Sequence, residues 1–231
     1  LIALDEPITL DDIEHRIDHV DALLAQAAPR WPPGTDQGYH GVTIGLYMAA
    51  LWRRLGESRS LGQFFAEEVA EPLGLDLHIG LPAELEPRVA YLVPVDRRET
   101  LTRVVPKLAF GRGLEGRFFR AAASGKDTAH AFRCPKEIGA RGMKNFNLER
   151  VHRLELLWAN AIGNARGLAK LYGVLAEGGG PLVGEDTLRQ VHERPTWSEN
   201  DRVLRKPVGW SCGFIKEEPH LFSPSPTAFG H

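Results

Sequence analysis

Tyr39 is the residue of this chain best placed to do chemistry. It closes the stretch Trp31-Pro32-Pro33-Gly34-Thr35-Asp36-Gln37-Gly38-Tyr39-His40, in which a Pro-Pro pair runs into one glycine and a second glycine precedes the phenol. Proline fixes φ and glycine admits φ > 0, so the two together aim a backbone. A hydroxyl delivered this way to a cleft could move a proton as general base and then as acid. An unperturbed phenol titrates near ~10, so it needs a cationic neighbour to serve at neutral pH. The plainer alternative is a surface loop whose tyrosine covers the core. His40 reads as structural rather than catalytic, with contact to a substrate open to it. His15 and His19 stand at i, i+4, a spacing that can bind a metal, but no third ligand lies nearby and a solvated polar face is expected. Ser-x-x-Lys does not occur. Ser124-Gly125-Lys126 and Ser211-Cys212-Gly213 have the wrong spacing for it. Gly111-Arg112-Gly113-Leu114-Glu115-Gly116 matches no phosphate-binding loop.

The elements that must hold Tyr39 are legible around it. Thr9 and Asp12 form a capping-box pattern ahead of a stripe of Ile13, Ile17, Val20, Leu23 and Leu24, which predicts one helix ended by Pro29. Residues 42–55 carry Ile44, Tyr47, Met48, Leu51, Trp52 and Leu55 at helical spacing, and Gly56 closes them. Ser60 and Gln63 open a further helix that runs into Pro72-Leu73-Gly74-Leu75. Residues 76–82 and 88–93 read as short extended segments. Asn164 is an N-cap ahead of Leu168, Leu171, Tyr172 and Leu175, and Gly178-Gly179-Gly180 stop that helix. A short helix is expected over 186–192 and a strand over 208–215. Ser223-Pro224-Ser225-Pro226 reads as a rigid connector, and a strand begins at 227–231.

The 231 residues, 43% of them apolar, suffice for one substantial core. A formal net charge of -2 points to no partner class. Its distribution is uneven: residues 97–153 hold fourteen Lys or Arg against five Asp or Glu, and the rest of the chain holds fourteen against twenty-five. The aromatic residues of that basic stretch form no RNA-binding signature, so a flexible, Gly-rich, solvated excursion over the site mouth is expected, and no nucleic-acid partner. Cys134 and Cys212 make no disulfide framework and read as free thiols, a single bridge being the alternative. No apolar run reaches membrane-spanning length and no secretory signal is visible, which leans the compartment towards the cytoplasm without fixing it. The chain begins at Leu1 and stops at Phe229-Gly230-His231, so both ends read as cut from a longer protein.

Residues 33–75 resemble the second-motif region of the serine β-lactamase and penicillin-binding-protein superfamily. There a Pro-Gly turn precedes the motif tyrosine, two helices follow, and Pro-Leu-Gly ends the second. The class-C-related esterase branch, in which the tyrosine is followed by histidine, is the nearer likeness, as in Tyr39-His40. Arg166, Leu168, Ala169, Leu171 and Tyr172 fit the family's Ala-Arg-x-Leu-Ala-x-Leu-Tyr helix, and His231 fits the first position of its Lys/His-x-Gly motif. The resemblance implies an α+β fold, an antiparallel sheet flanked by helices, as one domain over 1–231 incomplete at both ends. It divides into a helical lobe (9–75) carrying Tyr39, the basic excursion (97–153), and helices with sheet strands (158–231). It further implies a serine hydrolase that forms an acyl-enzyme on a small ester or amide, with no metal and no organic cofactor. Its nucleophilic Ser and Lys would lie upstream of Leu1, leaving this fragment inactive. Tyr39 would relay the proton and His231 would supply a donor or a charge. His40, Gly41, Asn160 and Asn164 would border the substrate. The family's lactamase form is Tyr-x-Asn; here Gly41 replaces the asparagine, which speaks for an esterase over a lactamase or peptidase. The alternative is a non-catalytic relative that keeps the fold for binding or assembly.

Overall fold

In the computed structural model, which describes residues 1–94, 96–124, 127–133, 135–139, 142–216, 225 and 227–231, Thr9 caps the first helix. Gly125, Lys126, Cys134 and the connector residues Ser223, Pro224 and Pro226 lie outside the described residues. The Thr9 hydroxyl accepts from the Asp12 N–H, and the Asp12 carboxylate accepts from the Thr9 N–H. The helix expected to run on towards Pro29 is instead broken at Arg16 (φ −132°, ψ 43°) into α1 (Leu10–His15) and α2 (Ile17–Gln26). The two halves serve different cores. Leu10 packs with Ile138, Val151 and Leu156, whereas Val20 and Leu24 pack with Leu4, Ile8 and Leu46. One straight helix would aim its stripe at a single cluster.

The Tyr39 loop joins α2 to α3 (Thr43–Arg54), after which Gly56 turns at φ +77°. Ser60 and Gln63 complete a second capping box at α4 (Leu61–Phe65). A π-helical turn, Ala66–Ala70, continues into α5 (Glu71–Leu73), and Gly74 ends it in the left-handed region at φ +58°. Of the extended segment 76–82 only β1 (Leu77–His78) is a strand. The second expected segment, 88–93, is not one. A 3-10 turn spans Ala83–Arg88 with Pro87 inside it, and the Asn147 amide takes the place of a partner strand. Its Oδ1 accepts from the Leu92 N–H at 2.6 Å and its Nδ2 donates to the Leu92 carbonyl at 2.9 Å.

Residues 97–153 also depart from expectation, being largely helical rather than a loose excursion. They form α6 (Arg97–Glu99), a π-helical turn (Thr100–Val104), α7 (Val105–Phe110), α8 (Leu114–Ala123), α9 (Asp127–Ala131), a 3-10 turn (Met143–Asn147) and α10 (Glu149–Arg153). Two of the glycines that suggested looseness make a tight corner. A Cβ on Gly116 would collide with the Gly111 carbonyl, and Lys107 pairs with Glu115 across α7 and α8.

Beyond α10, β2 (Ile162–Gly163) pairs antiparallel with β1, Leu77 facing Gly163. Then come α11 (Ala165–Ala176), α12 (Glu185–His192) and an antiparallel sheet in the order β3 (Thr196–Ser198), β4 (Val208–Trp210), β5 (Ile215–Lys216) and β6 (Phe229–Gly230). The stretch 208–215, expected as one strand, is a hairpin: the Ser211 N–H bonds the Phe214 carbonyl at 2.9 Å, and Gly213 supplies the turn at φ +82°. Cys212, in that turn, is an exposed free thiol. Ile215 faces Gly230, which sets His231 just past the end of β6. Helices with an antiparallel sheet are the α+β architecture expected.

Candidate active site

The proline-glycine corner is built on Trp31. Its indole N–H donates to the Asp36 carbonyl at 3.0 Å, and the Thr35 N–H and hydroxyl both bond the Pro32 carbonyl, at 3.2 and 2.7 Å. Gly34 turns the chain at φ +83°. Gly38 is needed for space, not for φ: a Cβ there would stand 2.7 Å from the Trp31 ring and 3.1 Å from Val203. Both glycines of the corner therefore have physical reasons, and the result is a backbone that delivers Tyr39 at a fixed place.

Tyr39 lies in an aromatic setting. Its ring stacks on Trp210 (centroids 5.4 Å apart, planes at 22°) and is flanked by Phe132 at 5.6 Å and His231 at 5.7 Å. The ring is half-buried, and burial pushes the phenol above its ordinary value of 10.0. Tyr39, His40, Gly41, Ile44, Trp158, Trp210 and His231 share the lining of a cleft of about 500 Å³. No carboxylate and no ammonium group lines it among the described residues.

His40 borders the cleft, but its Nε2 is engaged with the Ile2 carbonyl at 3.0 Å and the Thr43 hydroxyl at 2.5 Å. Burial holds its imidazole below the ordinary 6.5, so the ring is a neutral brace between the chain start and α3. At Gly41 a Cβ would stand 2.7 Å from the Ala131 carbonyl and within 3.4 Å of Phe132. The Val42 N–H bonds that same carbonyl at 3.1 Å. The space an asparagine would need at position 41 is already filled by the end of α9.

Asn160 and Asn164 are not brought to the cleft. The buried Asn160 amide is spent on the backbone: Oδ1 accepts from the Leu156 N–H at 2.9 Å, and Nδ2 donates to the Val151 and Leu154 carbonyls at 2.8 and 2.6 Å. Asn164 caps α11 through the Gly167 N–H at 2.8 Å and donates to Asp76 at 2.7 Å, beside a separate hollow of about 230 Å³. Sequence reasoning overlooked Trp210, Phe132, Trp158 and Asp201. Trp210 carried a signal, being the bulky residue of a Gly-Trp-Ser run at a strand end. Asp201 carried none, since Asn200-Asp201 reads as an ordinary turn.

Comparison with known proteins gives the family. The profile of the Beta-lactamase family matches residues 3–231. The chain is 33% identical over 172 residues to "Esterase/beta-lactamase LipL" of Mycobacterium tuberculosis (strain ATCC 25618 / H37Rv), covering 71% of this chain and 35% of that protein. Among solved structures, a family VIII carboxylesterase superposes with a TM-score of 0.71 at 32% identity, covering 99% of this chain and 55% of that one. A penicillin-binding-protein homologue from Caulobacter crescentus superposes with a TM-score of 0.68 at 32% identity, covering 94% and 52%. The chain thus spans about a third of the curated relative and about half of each solved one. With a profile match over nearly its whole length, this chain belongs to the Beta-lactamase family.

Proposed function

We propose that this chain forms the proton-relay side of a serine hydrolase of the β-lactamase-related esterase type, acting on a small ester or amide through an acyl-enzyme. The observation that carries the reading is the Tyr39 ring in a cleft with the His231 imidazole 5.7 Å away. A serine from a Ser-x-x-Lys motif outside residues 1–231 attacks the carbonyl carbon. Tyr39 accepts the serine proton and returns it to the departing alkoxide or amine, and water later releases the acid by the reverse route. Burial alone makes the phenol a poorer proton acceptor at neutral pH. A cation must therefore lie against it, and the motif lysine or a protonated His231 fills that place. The cleft walls, with Ile44, Trp158 and Trp210, suit a substrate with an apolar acyl or alcohol group. The missing side chain at Gly41 favours an ester over a lactam or peptide amide.

Labelling with a fluorophosphonate probe tests the reading. The intact protein that carries this chain together with its serine should label covalently and hydrolyse p-nitrophenyl butyrate, while residues 1–231 alone do neither. An intact protein that folds but neither labels nor hydrolyses the ester would instead be a non-catalytic relative that uses the fold for binding.

A further inference from the structure

Asp201 is completely buried, in the loop between β3 and β4. One carboxylate oxygen, Oδ1, accepts three backbone N–H groups: Tyr39 at 3.0 Å, Val203 at 2.9 Å and Leu204 at 2.9 Å. The other, Oδ2, faces the Trp210 indole N–H and the Gln37 side-chain amide, both at 3.4 Å. The next residue adds a second tie, because the Arg202 N–H bonds the Gln37 carbonyl at 3.0 Å. The loop is itself anchored. The Thr128 hydroxyl, fully buried, donates to the Val203 carbonyl at 2.8 Å. The Arg202 guanidinium bonds Asp127 at 2.9 Å and Asp36 at 3.2 Å while lying over the Trp31 ring.

A carboxylate taken wholly out of water is costly unless its lone pairs are met by donors. Ending a loop does not need one; a serine or asparagine would do so without burying a charge. What the charge adds is the strength and direction of its hydrogen bonds. Here those bonds go to two separate parts of one site. They hold the backbone of the residue that bears the phenol, and they hold the indole on which that phenol stacks.

We propose that Asp201 is the positioning residue of the site, its carboxylate fixing the Tyr39 backbone and the Trp210 indole in register so that the phenol keeps one place in the cleft. The proposal rests on the proton-relay reading of Tyr39. Asp201 touches no substrate; it acts through Tyr39. A neutral amide in place of the carboxylate weakens the bond to the Tyr39 N–H and, since its NH2 cannot accept from the indole N–H, frees the indole; the ring then samples several positions of which few are productive.

The test is a double-mutant cycle in the intact protein, with a spectroscopic arm on the same variants. Asp201→Asn keeps the shape and removes the charge. It should lower kcat for p-nitrophenyl butyrate about 30-fold or more with KM within about 3-fold. In a Tyr39→Phe background the same change should alter kcat by less than about 3-fold, because the group it positions is gone. An equal loss in both backgrounds would make Asp201 merely structural and overturn the proposal. The second arm does not depend on activity. Tyr39→Phe should remove the near-ultraviolet circular-dichroism band of the stacked Tyr39–Trp210 pair, and Asp201→Asn should remove the same band with the far-ultraviolet spectrum intact. A retained band would also overturn the proposal. If Tyr39→Phe leaves the rate unchanged, the relay reading fails, and the dichroism still decides the positioning. Should Asp201→Asn not fold, Trp210→Phe keeps a ring to stack and removes only the indole donor. It should then show a smaller loss of about 3- to 10-fold that vanishes in the Tyr39→Phe background, and a loss that persists there contradicts the proposal.

Discussion

Two demands meet at the phenol of Tyr39 and oppose each other. Packing between Trp210 and Phe132 fixes the ring, but the burial that fixes it raises its pKa, which keeps the proton on. In the relay proposed above, the phenol therefore has to borrow a positive charge, and the His231 imidazole lies 5.7 Å away. His40, one residue along, has the reverse role. Its ring is half-buried, its pKa is depressed, and it stays neutral. The sign of its linkage to stability follows. The unfolded chain protonates this histidine near 6.5 and the folded one only at lower pH, so its contribution is complete above 6.5 and is lost as pH falls through the window below. Thermal unfolding followed from pH 7.5 to 5 should show Tm falling below 6.5, and the fall should be shallower in His40→Gln. One such histidine accounts for at most about 1.4 kcal/mol per pH unit. An unchanged slope in His40→Gln would refute the assignment. At this scale the sequence showed what is local. Gly34, Gly38 and Tyr39 announce a corner because turn chemistry lies in neighbouring residues. Asp201 stayed silent because the N–H it holds is 162 positions away.

Elements were legible where a cap or a stop is written into adjacent residues. Thr9 with Asp12, Ser60 with Gln63, and Asn164 all do in the fold what their spacing foretold. Errors arose where tertiary partners decide. The break at Arg16 follows from two cores on either side, which a single apolar stripe does not reveal. Residues 88–93 alternate like a strand but meet an Asn147 side chain where a strand would need a neighbour. Glycines at 111 and 116 look like looseness in sequence and turn out to be the close contact of two helices. Asn160 belongs at this scale as well. Its amide ties the end of α10 to the segment that carries Trp158 into the cleft wall, through one N–H and two carbonyls. Asn160→Ala should lower stability to urea by about 3 kcal/mol, since it strands buried backbone groups worth about 1–3 kcal/mol each. A change below about 1 kcal/mol would mean that the segment holds its shape without the amide.

Seen whole, the molecule gathers its chemistry at one seam. The Tyr39 corner arrives from the helical side, Phe132 from the end of α9, Trp210 and His231 from the sheet, and the Asp201 loop ties the first of these to the third. The excess of positive charge in residues 97–153 is partly answered within that stretch, as in the Lys107–Glu115 and Arg103–Glu99 pairs, and none of its charged groups lines the cleft among the described residues. In the function proposed above, this seam is the wall opposite a nucleophile; the chain spans about half of its solved relatives. What decides its role is whether that wall moves a proton in the intact protein. The most direct measurement is kcat of Tyr39→Phe on p-nitrophenyl butyrate, with Tyr47→Phe as the control phenol outside the cleft. A loss of more than about 10²-fold for the first and a near-unchanged rate for the second is the predicted result; equal rates for wild type and Tyr39→Phe would contradict it.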